Sequence, residues 1–201
     1  ADSAKTYREN QAFLQSNKEL AYMLAKGSLS TLTGDNDVRL LINGESKFPE
    51  VIAALEKAKH HIHIEYYIFE DDTIGKVIEE ILLRKIKEGV EVRFIYDDFG
   101  SRSIRRTLAR RLKQGGVQVF PFYKIVFKAL ANRLNYRNHR KIIVIDGTVG
   151  FVGGINVCDK YINNKSGQLF WRDTHLCIEG SGVRYLQYLF LCDWNFCAND
   201  N

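Results

Sequence analysis

Apolar positions along the chain switch between two periods, and the switching sets out the elements. Residues 4–26 place Phe13, Leu14, Leu20, Ala21 and Leu24 near one stripe, which predicts a helix ended by "KGS". After the loop "TGDND" the period alternates. "VRLLIN" (38–43) predicts a strand, and "FPEVIAALEKAKH" (48–60) a helix with Pro49 in its first turn. "HIHIEYYIF" (61–69) predicts a strand, "TIGKVIEEILLRKIKEG" (73–89) a helix and "EVRFIYDD" (91–98) a strand. "RSIRRTLARRLKQGG" (102–116) predicts a helix closed by glycines, followed by a strand at "VQVFPFY" (117–123). "KIIVIDG" and "VGFVGGI" meet through a "DGT" turn as a hairpin. "THLCIEG" (174–180) adds a strand, and "GVRYLQYLFLCDWNFC" (182–197) closes the chain with an apolar helix.

Strands alternating with helices imply βαβ units and buried parallel pairing, to which the hairpin adds antiparallel pairing. The expected fold is α/β: a mixed, mostly parallel β-sheet flanked by helices on both faces. With no linker, low-complexity tract or repeat, the expected division is an N-terminal helix and lead-in over 1–31 and one domain over 32–201.

Composition narrows the function classes. The 201 residues are 45% hydrophobic, enough for one sizeable core, and the formal net charge of +5 favours acidic partners such as phosphate. Cys158, Cys177, Cys192 and Cys197 form no C-x-x-C pair and are expected to be reduced. No apolar run approaches the roughly 20 residues of a spanning helix, so the chain itself is expected to be soluble.

The chemistry concentrates in "NHRKIIVIDGTVGFVGGIN" (138–156). Residues two apart in a strand share a face, so His139 and Lys141 project together. An imidazole is largely unprotonated at neutral pH and serves as a nucleophile; a lysine beside it meets a phosphate oxygen. Gly153 and Gly154 allow close backbone approach, and Asn156 offers an amide to phosphate oxygens. Asp146 opens the hairpin turn.

Other segments admit plainer readings. His61, His63 and Glu65 share a strand face. H-x-H suits zinc, but with no further ligand evident a polar strand face is the expectation, and no metal or cofactor is expected. The six basic residues of "RSIRRTLARRLK" read as a solvated face, or as a contact for lipid or nucleic acid. "YKIVFKALANRLNYRNHRK" (123–141) mixes basic and apolar residues, as an interfacial segment on an anionic bilayer or a buried connector would.

"HRKIIVID", with Gly153, Gly154 and Asn156 behind it, resembles the signature of the phospholipase D superfamily. "IHIEYYIFEDDTIG", "EGVEVRFIYDDFGS", "GFVGGINVCDKYI", "WRDTHLCIEG" and "LQYLFLCDW" extend the resemblance over about 32–194, to the N-terminal catalytic half of bacterial cardiolipin synthases. The resemblance implies a phosphatidyltransferase acting on phosphatidylglycerol through a phosphohistidine. His139 would be nucleophile or acid, Lys141 the phosphate-binding lysine, Asp146 the third motif member and Asn156, with Gly154, a substrate contact. Asp173 stands where family members place the acid that orients the histidine. The alternative is a phosphodiesterase or nuclease of the same superfamily working as a homodimer.

Full-length members have two motifs and usually N-terminal membrane helices. One motif is present here, so the expectation is an excised half, inactive as a monomer, that needs a second motif-bearing half or a homodimer partner. The parent is expected at the cytoplasmic face of the membrane, with anionic phospholipid as partner and nucleic acid unlikely to be one. Cys158 and Cys177 depart from the family pattern beside the site.

Overall fold

A computed structural model describes residues 8, 10–28, 32–123, 137–163, 167 and 169–199. Most of the basic, apolar stretch 123–141 lies outside the described residues, and so does the start of the expected first helix. That helix is two, α1 (Gln11–Ser16) and α2 (Lys18–Ser28). They part at Asn17, whose Nδ2 donates to Phe13 O at 3.0 Å, a local side-chain bond that competes with the helical ladder. In the apolar stripe, Phe13, Leu20 and Leu24 are all more than half exposed.

β1 (Asn36–Ile42) leads directly into α3 (Asn43–Glu56). The expected start at residue 48 is therefore corrected by five residues, and Pro49 lies inside the helix. Tertiary contacts outweigh the proline signal. Phe48 is buried, Lys47 Nζ donates to Ile155 O at 2.9 Å, and a Cβ on Gly44 would stand 2.6 Å from Tyr161 O.

β2 (His61–Tyr66) is followed by α4 (Thr73–Lys87), β3 (Glu91–Asp97), α5 (Leu108–Gln114) and β4 (Gln118–Phe122). Asp72 caps α4 by accepting from Gly75 N–H at 3.1 Å. The helix expected over 102–116 divides into a 3₁₀ turn at Arg102–Ile104 and α5, separated by the non-helical Thr107. β5 (Lys141–Ile145) and β6 (Val149–Gly153) form the expected hairpin. Its turn has positive φ at Asp146 (52°) and Gly147 (67°), the primed geometry that Asp-Gly favours. β7 (Thr174–Gly180) and α6 (Val183–Asn199) complete the chain.

The seven strands form one mixed sheet in the order β1-β7-β6-β5-β2-β3-β4. Only β2–β3 and β3–β4 pair in parallel; β2–β5, β5–β6, β6–β7 and β1–β7 are antiparallel. "Mostly parallel" is thus corrected. The two parallel pairs are those joined by crossover helices, and every strand after β4 enters through a hairpin or an edge. Helices do cover both faces. Phe48, Val51, Ile78, Leu82, Leu108 and Leu112 pack with Ile64, Phe94 and Ile143 on one side. On the other, Phe190 and Trp194 of α6 pack with Ile95, and Val183 and Leu186 with Ile142 and Val144. The alternation along β2 therefore sends Tyr66 and Glu65 to opposite faces.

Candidate active site

β5 lies at the centre of the sheet, and its first residue, Lys141, pairs with Tyr66 of β2. His139 precedes the strand on irregular backbone and is exposed. Its ring stacks on Tyr67 with centroids 3.8 Å apart at 20°. Lys141 Nζ stands 5.3 Å from the centre of the same Tyr67 ring and donates to His139 O at 2.6 Å. The two motif residues therefore meet on one tyrosine. Gly100 holds that tyrosine closely, since a Cβ there would lie 2.4 Å from Tyr67 O. Ser101 Oγ donates to the same carbonyl at 2.9 Å.

Lys141 shares a buried, cation-rich pocket with Lys47 and His175. Burial lowers the Lys141 amine, with Asp173 opposing the shift. Lys47 is fully buried and falls well below its ordinary range, first through burial; Asp173 opposes this and Lys141 adds to it. Burial, followed by the nearby charges of Lys47 and Lys141, pushes the His175 imidazole down to about 2. Among the described residues, neither ring nitrogen of His175 has a hydrogen-bond partner. Three nitrogenous groups thus crowd one half-buried carboxylate, Asp173, an arrangement that an added anion relieves.

Asn156 is buried beside this pocket. Its Oδ1 accepts Ile68 N–H at 3.0 Å and its Nδ2 donates to Tyr161 Oη at 2.7 Å, which uses one of the two amide hydrogens. Gly154 is needed for packing: a Cβ there would stand 2.1 Å from Asp173 Oδ1.

The contacts of Asp146 and Asp173 lie away from the His139 ring. Asp146 ends the strand that Lys141 begins, ~17 Å away at ~3.3 Å per residue. Its Oδ1 accepts His60 and His61 N–H at 2.8 and 2.9 Å, and its Oδ2 accepts Lys59 N–H at 2.9 Å. Burial would raise this carboxyl, but the three backbone donors outweigh it and hold it below the usual range. Asp146 anchors the hairpin to β2 and is not brought to His139. Among the described residues, no hydrogen bond joins Asp173 to His139. Asp173 instead accepts Thr174 N–H at 2.7 Å and bonds Asn43 through its backbone, and its charge acts on the two lysines.

On the opposite face, the polar stripe of β2 is capped by α6. Gln187 bridges His61 Nε2 (3.2 Å) and His63 Nδ1 (2.8 Å), and His63 stacks on Phe190 at 4.5 Å. Burial takes His63 down to about 3. Among the described residues, no three His, Cys, Asp or Glu side chains gather as a metal site. Glu65, 1% exposed, accepts from Asn138 Nδ2, and burial and the neighbouring Asp193 push it up to about 9. Asn138 Nδ2 also donates to Asp193 Oδ2 at 3.2 Å, and Arg140 donates to that same oxygen.

Sequence reasoning passed over Tyr67, Lys47 and Asn138. Asn138 abuts the motif, and its position was the available signal. Nothing local marks Lys47, which enters the site only because α3 begins early.

Residues 51–171 match the family described as "Cardiolipin synthase, PLD-like domain". A cardiolipin synthase of Geobacillus sp. (strain WCH70) is 47% identical over 178 residues, 89% of this chain and 35% of the relative. The major cardiolipin synthase ClsA of Bacillus subtilis (strain 168) is 42% identical over 193 residues, 95% of this chain and 40% of the relative. The chain therefore spans well under half the length of these relatives. Among solved structures, Nuc of Salmonella typhimurium superposes with a TM-score of 0.61 at 19% identity, covering 80% of this chain and 95% of that one. NucT of Helicobacter pylori gives 0.64 at 15% identity, covering 81% and 98%. At these identities the likeness establishes the fold. Among the described residues no helix is long and apolar enough to cross a membrane.

Proposed function

Because this chain belongs to the family of cardiolipin synthase PLD-like domains, we propose that it supplies one half of a phosphatidyltransferase active site acting on phosphatidylglycerol. The observation that supports this reading is an exposed imidazole, His139, beside buried Lys141, Lys47 and His175, which share the single carboxylate Asp173. A phosphodiester seated there would place its oxygens on Lys141 and the remaining Asn156 Nδ2–H.

An imidazole nitrogen of His139 then attacks phosphorus. A P–N bond forms, the P–O bond to the leaving glycerol breaks, and the alkoxide takes a proton from an acid on the far side. The hydroxyl of a second phosphatidylglycerol attacks the phosphohistidine, gives its proton to the base so formed and frees His139. The products are cardiolipin and glycerol. One group cannot be an unprotonated nucleophile and the proton donor in the same step. The partner is therefore a second motif-bearing half, or a second copy of this chain across a two-fold axis. Water must be kept from the intermediate, which suits chemistry at an anionic membrane surface.

Asp173, in this reading, keeps Lys141 and Lys47 protonated rather than orienting His139, and Asp146 holds the hairpin. The deciding experiment offers phosphatidylglycerol vesicles to the chain, alone and joined to the rest of its parent, and follows products by mass spectrometry beside a DNA digestion assay. Cardiolipin from the assembled protein supports the transferase. Nicked DNA without cardiolipin supports a nuclease and overturns it. A strictly monomeric single-motif sample that makes cardiolipin at ordinary enzyme rates overturns the two-histidine scheme.

A further inference from the structure

We propose that Glu65, carrying a proton, and Asp193 form a carboxyl clamp that positions His139 by gripping the side chain of its neighbour, Asn138. The inference rests on the reading of His139 as the reacting group, but its geometry lies on the face of the sheet opposite the cationic pocket.

Asn138 is 7% exposed and is anchored three ways. Its backbone N–H donates to Asp97 Oδ2 at 3.0 Å. Its Oδ1 accepts Arg140 N–H at 3.0 Å. Its Nδ2 donates to Glu65 Oε1 and, at 3.2 Å, to Asp193 Oδ2. One amide thus spends its donors on two carboxyl groups, one from β2 and one from α6. The residue on either side of His139 is fixed by this set, because Arg140 also reaches Asp193. His139 has little freedom between them beyond its stacking on Tyr67.

Charge count decides the protonation. Two carboxyls, Glu65 buried and Asp193 partly buried, face one guanidinium, Arg140, so one negative charge is left uncompensated unless a proton replaces it. Asp193 is the member paired with Arg140. The remaining Glu65 oxygen, Oε2, is buried without a partner among the described residues. The other charged or titratable groups near this face do not substitute. Arg93 of β3 is paired with Glu91 at 2.8 Å, Asp97 of β3 adds a further acid, and His63 of β2 is held neutral by burial. The upward displacement of Glu65 agrees with this assignment. Loss of the Glu65 proton in alkali would set two carboxylates against each other at Asn138 and loosen the segment that presents His139.

The test uses the 201-residue chain without lipid, with ¹³C-labelled carboxyls and ¹⁵N-labelled histidine rings, followed by NMR across pH. The expected result is a carboxyl that titrates near pH 9, is absent in Glu65→Gln, and moves the His139 ring signals in the same window. Glu65→Gln keeps a neutral group that can still bond Asn138, so His139 should keep its neutral-pH signals and lose the alkaline change. Asn138→Ala should disturb the His139 signals at every pH. Circular dichroism identifies any variant that does not fold; the wild-type titration and Glu65→Gln then decide alone. Titration of Glu65 near the ordinary 4.5, or His139 signals that ignore it, would overturn the clamp. In the assembled enzyme, the alkaline fall of kcat should vanish in Glu65→Gln with KM little changed. Absence of cardiolipin formation would sink the transferase reading and leave the NMR result standing.

Discussion

At the level where Tyr66 pairs with Lys141, the two faces of the sheet bury charge of opposite sign. One face gathers Lys47, Lys141 and His175 around a single carboxylate, Asp173. The other gathers Glu65 and Asp193 around a single guanidinium, Arg140. The acidic face is resolved internally by a proton and by Asn138. The cationic face is not, since both His175 nitrogens remain unpartnered and both amines are held below their ordinary range. A face that satisfies itself positions groups, whereas a face left short of one charge is built to receive it.

The largest break in this contrast comes from His139, the group between the two faces. His139→Ala should lower turnover in the assembled enzyme by at least about 10³-fold, because no neighbour replaces a nucleophile or acid. Circular dichroism should show an unchanged fold. Activity within about tenfold of wild type would remove His139 from the chemistry.

Next in size is the pocket itself. Lys141→Met should weaken vanadate binding on the order of 10- to 100-fold, as loss of a charged hydrogen bond does. Lys141→Arg should recover only part, because a planar fork does not fit where a compact ammonium did. Vanadate should also raise the melting temperature of the wild type and leave Lys141→Met nearly unchanged. Equal affinity for both proteins in calorimetry would refute the role.

Asp173→Asn sharpens the comparison by a smaller step. Asp173 raises both lysines, so its loss lets them deprotonate at lower pH. The alkaline limit of vanadate binding should therefore move toward neutrality, with a modest change in stability. An unmoved limit would mean that Asp173 acts elsewhere, and a coupled change in His139 titration would return it to the histidine.

The last prediction concerns stability in acid. His63 and His175 lie at about 3 and about 2 in the fold, against an ordinary 6.5. Below pH 6.5 the unfolded chain binds these protons and the folded one does not, so stability falls as pH drops toward those values. The ceiling is about 1.4 kcal/mol per pH unit for each histidine. Urea unfolding between pH 7 and 4 should show this slope, and His63→Leu should reduce it.

The local patterns were legible where short-range chemistry rules. The strand at 174–180 and the Asp-Gly turn follow from alternation and turn chemistry alone, whereas His139 lies outside the strand and meets Lys141 on Tyr67. Asp146 was legible as a turn residue, yet its distance from His139 required the strand to be laid out. The early start of α3 was hidden because Pro49 signals a first turn, and burial of Lys47 and Phe48 overrode it.

The sequence by itself determined which residues could do phosphoryl chemistry and the order of strands and helices, because backbone periodicity and side-chain type are local properties. Only the tertiary structure decided that Lys47, His175 and Tyr67 join His139 and Lys141, and that Glu65 meets Asp193 through Asn138. It also decided that most strand pairs are antiparallel. Those outcomes depend on contacts between positions far apart in the chain, and on burial, which changes what a charge costs.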